Sequence, residues 1–318
     1  MNPAFALNRL LQALLTLLAV SFLVYMLIGL MPGDPIDLMA AGNPHFTPED
    51  AARLRALYGL DQPLPVRYGR WLMAALQGDL GYSRLYNMPV LDVLWPRFVN
   101  TGLLLGISLF ITIIFALPMG VHAARHIGGW SDRAINLFCL AGISLPHFWL
   151  GILLISLFAV TLGWLPAGAS LDGAFMDDVR AMILPVATLA VSGLAVYVRH
   201  LRAAMADALR ADHIRTARAK GCSPRRTVWN HAFKNALPPV LTILMLDLGT
   251  LFSGALTVEA VFGFPGMGKL MFDAVMGNDY NLALCGFLIL TFFVLLANFM
   301  ADFLYAALDP RVNYGVKA

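Results

Sequence analysis

The sequence predicts an all-α membrane protein: six transmembrane helices and a small helical insertion outside the bilayer. Two observations carry that prediction. Of 318 residues, 59% are hydrophobic and only 13% are charged, at a mean hydropathy of +0.72, a composition that excludes an ordinary soluble chain. Six runs, each long enough for a bilayer at about 20 residues per span, carry at most one charged residue. The net charge of +3 says little, but its placement along the chain is informative. Cys139, Cys222 and Cys285 lie far apart, which fits neither a disulfide framework nor a zinc spacing, and they read as small packing residues.

Residues 10–33 are free of charge. A secretory signal would have an apolar region of about 7–15 residues and a small-residue cleavage site. This run is longer and no such site follows, so residues 1–31 read as a retained first span. Residues 32–98 form the longest extramembrane segment. Thr47-Pro-Glu-Asp50 has a capping residue, a proline at the first helical position and acids in the first turn, so a helix is expected from there to Gly59. A second helix is expected from about Pro65 to Gln77, stopped by Gly78. Both are modestly amphipathic, too little for a core of their own. They are expected to lie on the membrane domain, with Trp71, Tyr82 and Trp95 at an interfacial level.

The remaining spans are residues 98–124, 134–171 and 181–198, then 235–258 with Asp247 as its one charge, then 280–301. Pro118, Pro146 and Pro185 are expected kinks, tolerated where neighbouring helices satisfy the freed backbone. This gives a core domain over 99–306, with a polar loop at 200–236, and a tail at 307–318. With the N-terminus inside, 14 of the 22 Lys and Arg fall on the inner side, nine of them between Arg199 and Lys234. The positive-inside rule therefore favours both termini and the 200–236 loop in the cytoplasm.

Within that loop, Asp212–Pro239 reads as two short helices around a sharp turn. The first ends at Gly221, where a left-handed residue closes a helix without a Cβ penalty. The second starts with Ser223 as N-cap and Pro224 at the first helical position. Arg225 and Arg226 then sit in a first turn whose dipole opposes positive charge, at about 0.3–1 kcal/mol each. On charge alone, anionic lipid headgroups and a docked cytosolic partner are both open readings.

Gly263-Phe-Pro-Gly-Met-Gly-Lys-Leu270 almost matches the phosphate-cradling G-x-x-x-x-G-K-[ST]. Leu270 replaces the Mg²⁺-binding hydroxyl, no strand precedes it, and it falls on the outer side, so a re-entrant turn is the better reading. No H-E-x-x-H occurs. His122 and His126 are spaced i, i+4, but at a membrane boundary beside Arg125, as a solvated pair. Asp247, Thr250, Gly254 and Thr257 share one face of the fifth span, and Thr188 and Ser192 share a face of the fourth. Hydroxyl and small residues also serve helix packing in lipid. A carboxylate at mid-bilayer costs about 2.5–3.5 kcal/mol on the insertion scale and usually faces a water-filled cavity. A pathway through the protein, lined by Asp247, Thr250, Gly254, Thr257 and Ser192, is therefore the sharper expectation; a buried, paired Asp247 is the blander one.

Ala217-Arg-Ala-Lys-Gly221 followed by Asn235-Ala-Leu-Pro238 resembles the cytoplasmic "EAA" loop of ABC importer permeases, in the form of the oligopeptide/dipeptide/nickel branch. The resemblance runs through the chain in order: Pro32-Gly-Asp-Pro35, Gly59-Leu-Asp-Gln-Pro63, Gly78-Asp-Leu-Gly81, Glu259-Ala-Val-Phe-Gly-Phe-Pro-Gly266 and Leu308-Asp-Pro-Arg311. Thr216 stands where the general pattern has Glu, a departure common in this branch. The resemblance implies the type I importer permease fold in a bacterial inner membrane. It implies a second, similar permease subunit, two cytosolic ATPase subunits that hold ATP and Mg, a substrate-binding protein outside, and no nucleic acid. No cofactor is expected on this chain itself. It implies alternating access driven through a loop comprising Thr216, Ala217, Arg218, Ala219, Lys220, Gly221, Ser223, Pro224, Arg225 and Arg226. In that loop Ala217, Ala219 and Gly221 are expected at the close contact and Arg218, Arg225 and Arg226 as charged contacts. Di- or oligopeptides are the expected cargo, with a nickel chelate or a glutathione-type conjugate as the alternative. An autonomous channel or proton-driven carrier would have no need of such a loop.

Overall fold

The computed structural model describes residues 3–30, 47–57, 61–169, 171 and 175–308; the side chains of 3–6, 54, 57, 246, 248–254 and 301–308 lie outside that description. The motif residues Pro32–Pro35, Gly59–Leu60 and Asp309–Arg311 also fall outside it. The chain divides into two compact units, residues 1–98 with 270–293, and residues 99–269 with 294–318.

In the first unit, α1 (Pro3–Gly29) is the first apolar span and α2 (Pro48–Leu57) follows the expected cap. The Asp50 amide donates to Thr47 Oγ1 at 3.2 Å and the Thr47 amide donates to Asp50 Oδ2 at 3.2 Å, a reciprocal capping pair. The Thr47 hydroxyl and amide hold the Asp50 carboxyl below its ordinary range. α3 (Leu64–Leu76) lies on α1: Tyr68 OH is 2.7 Å from Ser21 Oγ, and its ring meets Phe22 edge-on at 5.2 Å. Trp71 is drawn into the same cluster, 6.0 Å from Tyr25, while Tyr82 and Trp95 are exposed. Alternation does not announce the next element, a two-residue-per-strand hairpin, β1 (Tyr82–Ser83) and β2 (Met88–Pro89), paired Tyr82↔Pro89 and Ser83↔Met88.

α4 (Val90–Arg125) begins eight residues before the expected span and continues through Pro118. A charge-free run marks the apolar part of a helix, not where the helix starts; Asp92 and Arg97 lie in the turns of α4 that precede that run.

In the second unit, the expected single span over 134–171 is instead two helices, α5 (Trp130–Ser144) and α6 (His147–Leu154), bent by 106°. Leu145 is extended, the backbone that a following proline favours, and Pro146 starts the new direction. α6 widens into a π-helical stretch, Ile155–Thr161. α7 (Phe175–Arg210) runs 36 residues through Pro185, past both ends of its charge-free run. α8 (Asp212–Ala219) and α9 (Pro224–Arg226) form the polar loop. A π-helical turn, Thr227–Ala232, joins α9 without a break to α10 (Phe233–Phe262). α11 (Met267–Met276) and α12 (Tyr280–Leu308) follow; most of α11 and the first half of α12, residues 270–293, belong to the first unit.

Among the described residues, four helices are long and apolar enough to cross a membrane, or five if the bent pair counts as one. Small residues let the helices of the second unit approach. A Cβ on Gly142 would stand 3.3 Å from the Ala195 Cβ, and one on Gly193 3.3 Å from Thr112 Cγ2. One apolar core joins α4, α5, α7 and α10 to the loop through Leu201, Met205, Ile214, Val228 and Ala232.

Candidate functional site

The loop between α7 and α10 has an inner and an outer side. Ile214 (0% exposed) and Ala217 (6%) face the chain's own interior. Anchoring Ile214 in water-facing structure is worth about 1.5–3 kcal/mol. Asn235 braces the loop from α10: its side-chain amide lies 3.0 Å from His213 Nε2 and donates to His231 O at 2.9 Å.

The turn itself is a Schellman closure. Gly221 N donates to Arg218 O at 3.0 Å, Cys222 N donates to Ala217 O at 3.1 Å, and Gly221 adopts φ +79°. Ser223 then caps α9, its Oγ accepting from the Arg226 amide at 3.4 Å, with Pro224 next. Thr216, Arg218, Ala219, Lys220, Gly221, Ser223, Pro224, Arg225 and Arg226 are all exposed. The space a Cβ of Gly221 would enter is open. The loop thus presents a fixed turn of small residues ringed by cations, and its next residues run straight into α10. Ala217, expected at the contact, is instead part of the loop's internal packing, because it follows Ile214 by three residues on the buried face.

The expected pathway residues are placed separately. Asp247 is half-buried on α10, and the buried Tyr197 of α7 has its hydroxyl near that carboxylate without forming a hydrogen bond. Ser192 is half-buried and its hydroxyl donates to Thr188 O of its own helix at 3.2 Å. Thr257 is exposed; the side chains at 250 and 254 lie outside the description. Tyr197 escaped the sequence reading because a tyrosine in an apolar run carries no charge signal.

A third constellation was also missed. Glu259 is 0% exposed at the end of α10. It accepts from Thr101 Oγ1 at 2.6 Å, the Gly268 amide at 2.6 Å and the Lys269 amide at 3.1 Å. These amides are the ones a phosphate loop would aim at phosphate, so the near match at Gly263–Leu270 has another use. Gly263 (φ +63°) closes α10 and reverses the chain. The available signal was an acid one residue beyond a charge-free span with glycines at 266 and 268. The His122 and His126 rings lie with centroids 4.3 Å apart and planes tilted by 30°, on an exposed surface. Among the described residues no three His, Cys, Asp or Glu gather as metal ligands would.

The chain is similar to known proteins over nearly its whole length. Residues 116–314 match the family described as binding-protein-dependent transport system inner membrane component, and residues 3–104 match its N-terminal counterpart. The glutathione transport system permease protein GsiC of Salmonella paratyphi A is 38% identical over 310 residues, 98% of this chain and 99% of its own length. The di/tripeptide transport system permease protein DppB of Pseudomonas aeruginosa is 38% identical, covering 94% of this chain and 95% of its own. The oligopeptide transport system permease protein AppB of Bacillus subtilis is 35% identical, covering 98% and 99%. An inward-facing structure of the MetNI methionine ABC transporter matches the fold with a TM-score of 0.53 at 19% identity, over 66% of this chain and 93% of that one.

Proposed function

Because the chain belongs to the family of binding-protein-dependent transport system inner membrane components, we propose that it carries peptides across the membrane as the permease of an ATP-driven importer. It is a permease subunit of an ABC importer and not its ATPase. Glutathione, itself a tripeptide with a free amine, is the second reading, supported by the full-length likeness to the GsiC permease.

The observation that carries the mechanism is the rigid, exposed basic turn continuous with α10. On this proposal the turn at Ala219–Gly221, flanked by Arg218, Arg225 and Arg226, docks a cytosolic ATPase subunit, with Ala217 and Ile214 fixing it from behind. A second permease subunit completes the membrane part, two ATPase subunits supply ATP and Mg, and a binding protein delivers cargo from outside. The chain then has six spans, counting α10 and the bent α5–α6 pair, and both termini are cytoplasmic. Closure of the ATPases would push the turn, tilt α10 against α7, and open the route past Asp247 first to one side and then to the other. Asp247, with Tyr197 beside it, would receive the protonated amine of the cargo.

The test is reconstitution of the complete complex in vesicles with labelled di- and tripeptides and glutathione. ATP-dependent accumulation of one of these that requires the binding protein is expected. ATP-independent flux through this chain alone would overturn the reading.

A further inference from the structure

Glu259 lies at the end of α10 remote from the basic loop. α10 is 30 residues long, about 45 Å at 1.5 Å per residue, so its two ends reach opposite faces of a bilayer. Thr101 is 24 residues before the end of α4, about 36 Å, and so reaches the same remote level. There the Glu259 carboxylate ties three segments together. Thr101 of α4 donates to it at 2.6 Å, while Thr101 Oγ1 itself accepts from the Met267 amide at 2.7 Å. Gly268 and Lys269, in the first turn of α11, donate to its other oxygen. Asn100 Nδ2 adds a bond to Pro265 O at 2.9 Å. The glycines are required by this approach: a Cβ on Gly266 would fall 2.3 Å from Glu259 Cδ, and one on Gly268 2.5 Å from Leu256 Cα.

Every donor here favours an ionised, acceptor-only side chain. An amide in the same place would aim its NH₂ at another donor. The joint therefore specifies a carboxylate and holds the far end of α10 to α4 and to the start of α11 as one body.

We propose that Glu259 is a positioning residue for transport: it makes α4 follow α10 at the remote end, so that displacement entering through the basic loop opens that end. This rests on the importer reading above. If the joint is cut, the loop and its ATPase still move, but α10 swings without α4, and hydrolysis proceeds without delivery.

The test uses the full complex in vesicles, with ATP hydrolysis and cargo uptake both measured per assembled complex. Glu259→Gln keeps the shape and replaces one of the two acceptor oxygens with a donor. Cargo moved per ATP is expected to fall roughly tenfold, the size of losing one hydrogen bond to a charged group, while hydrolysis stays within about twofold. Thr101→Val should behave alike and Thr101→Ser should restore coupling. A merely structural role would lower hydrolysis and uptake together. A second readout does not need transport. Spin labels at the exposed positions Leu103 of α4 and Ala260 of α10, with the native cysteines replaced by alanine, should give one narrow distance with and without ATP in the otherwise unaltered chain. The distance should become broad or nucleotide-dependent in Glu259→Gln. An unchanged narrow distance together with unchanged cargo per ATP in Glu259→Gln would overturn the proposal. If no cargo moves even with Glu259 in place, the importer reading fails, and the label distances still decide the role of the joint.

Discussion

Arg202 grips Asp132 with two hydrogen bonds, Nε to Oδ1 at 2.5 Å and Nη2 to Oδ2 at 2.7 Å. The Gly128 amide at 2.9 Å and Asn136 Nδ2 at 2.7 Å complete the shell of a carboxylate that is 3% exposed. The pair fastens the start of α5 to α7, one helical stretch before the basic loop.

Arg202→Ala should therefore destabilise the chain by about 3 kcal/mol, the lower end for breaking a buried pair, because the Arg202 side chain keeps 26% exposure. Arg202→Lys keeps the charge but loses the fork, and should fall between. Thermal unfolding in detergent should rank the native chain first, then Lys, then Ala. Equal midpoints for all three would remove the pair from any account of stability.

Gly221 separates backbone strain from docking. Asn tolerates a left-handed backbone, so Gly221→Asn should leave insertion and stability within about 1 kcal/mol. Gly221→Asp adds a charge at the same open position and should abolish capture of the ATPase subunits, and uptake with it, while the chain still inserts. Normal capture and uptake by Gly221→Asp would sink the docking role.

The carboxylate of Asp247 should matter most for cargo with a free amine. Asp247→Asn should reduce uptake of an unmodified dipeptide roughly tenfold, about 1.4 kcal/mol, and of its N-acetylated form much less. Tyr197→Phe should weaken the same preference in the same direction. A cysteine at position 247, in a chain lacking Cys139, Cys222 and Cys285, should react with a water-soluble thiol reagent in at least one nucleotide state. Protection in every state, with normal uptake by the Asn variant, would make Asp247 a buried structural group.

Asp279 holds the hairpin. It accepts from Ser83 Oγ at 2.6 Å and the Leu85 amide at 3.0 Å, and its other oxygen accepts from the Leu282 amide at 3.2 Å, capping α12. Asp279→Ala should cost about 1–2 kcal/mol from the cap alone and expose residues 82–89 to limited proteolysis. Ser83→Ala should show the same cleavage to a smaller degree. Undiminished protease resistance in both would show that apolar packing, not Asp279, seats the hairpin.

The elements most legible in the sequence were those whose physics is local. A charge-free run is a local property, and it marked each apolar stretch. Gly221, Ser223 and Pro224 fixed the loop because left-handed closure and helix capping involve residues only three or four apart. The same holds for Thr47 with Asp50 and for Gly78 after α3. The resemblance to importer permeases was likewise legible, because it lies in short motifs read in order.

Tertiary structure decided what depends on partners distant in sequence. Arg202 meets Asp132 across 70 residues, Thr101 meets Glu259 across 158, and Ser83 meets Asp279 across 196. No periodicity records such pairs, since each partner alone reads as a boundary charge or a packing hydroxyl. Pro146 signalled a kink, but its 106° size follows from what α5 and α6 each pack against. Ala217 belonged to the basic turn by sequence and to the core by structure, because the face a short helix buries is set by its neighbours and not by its own eight residues.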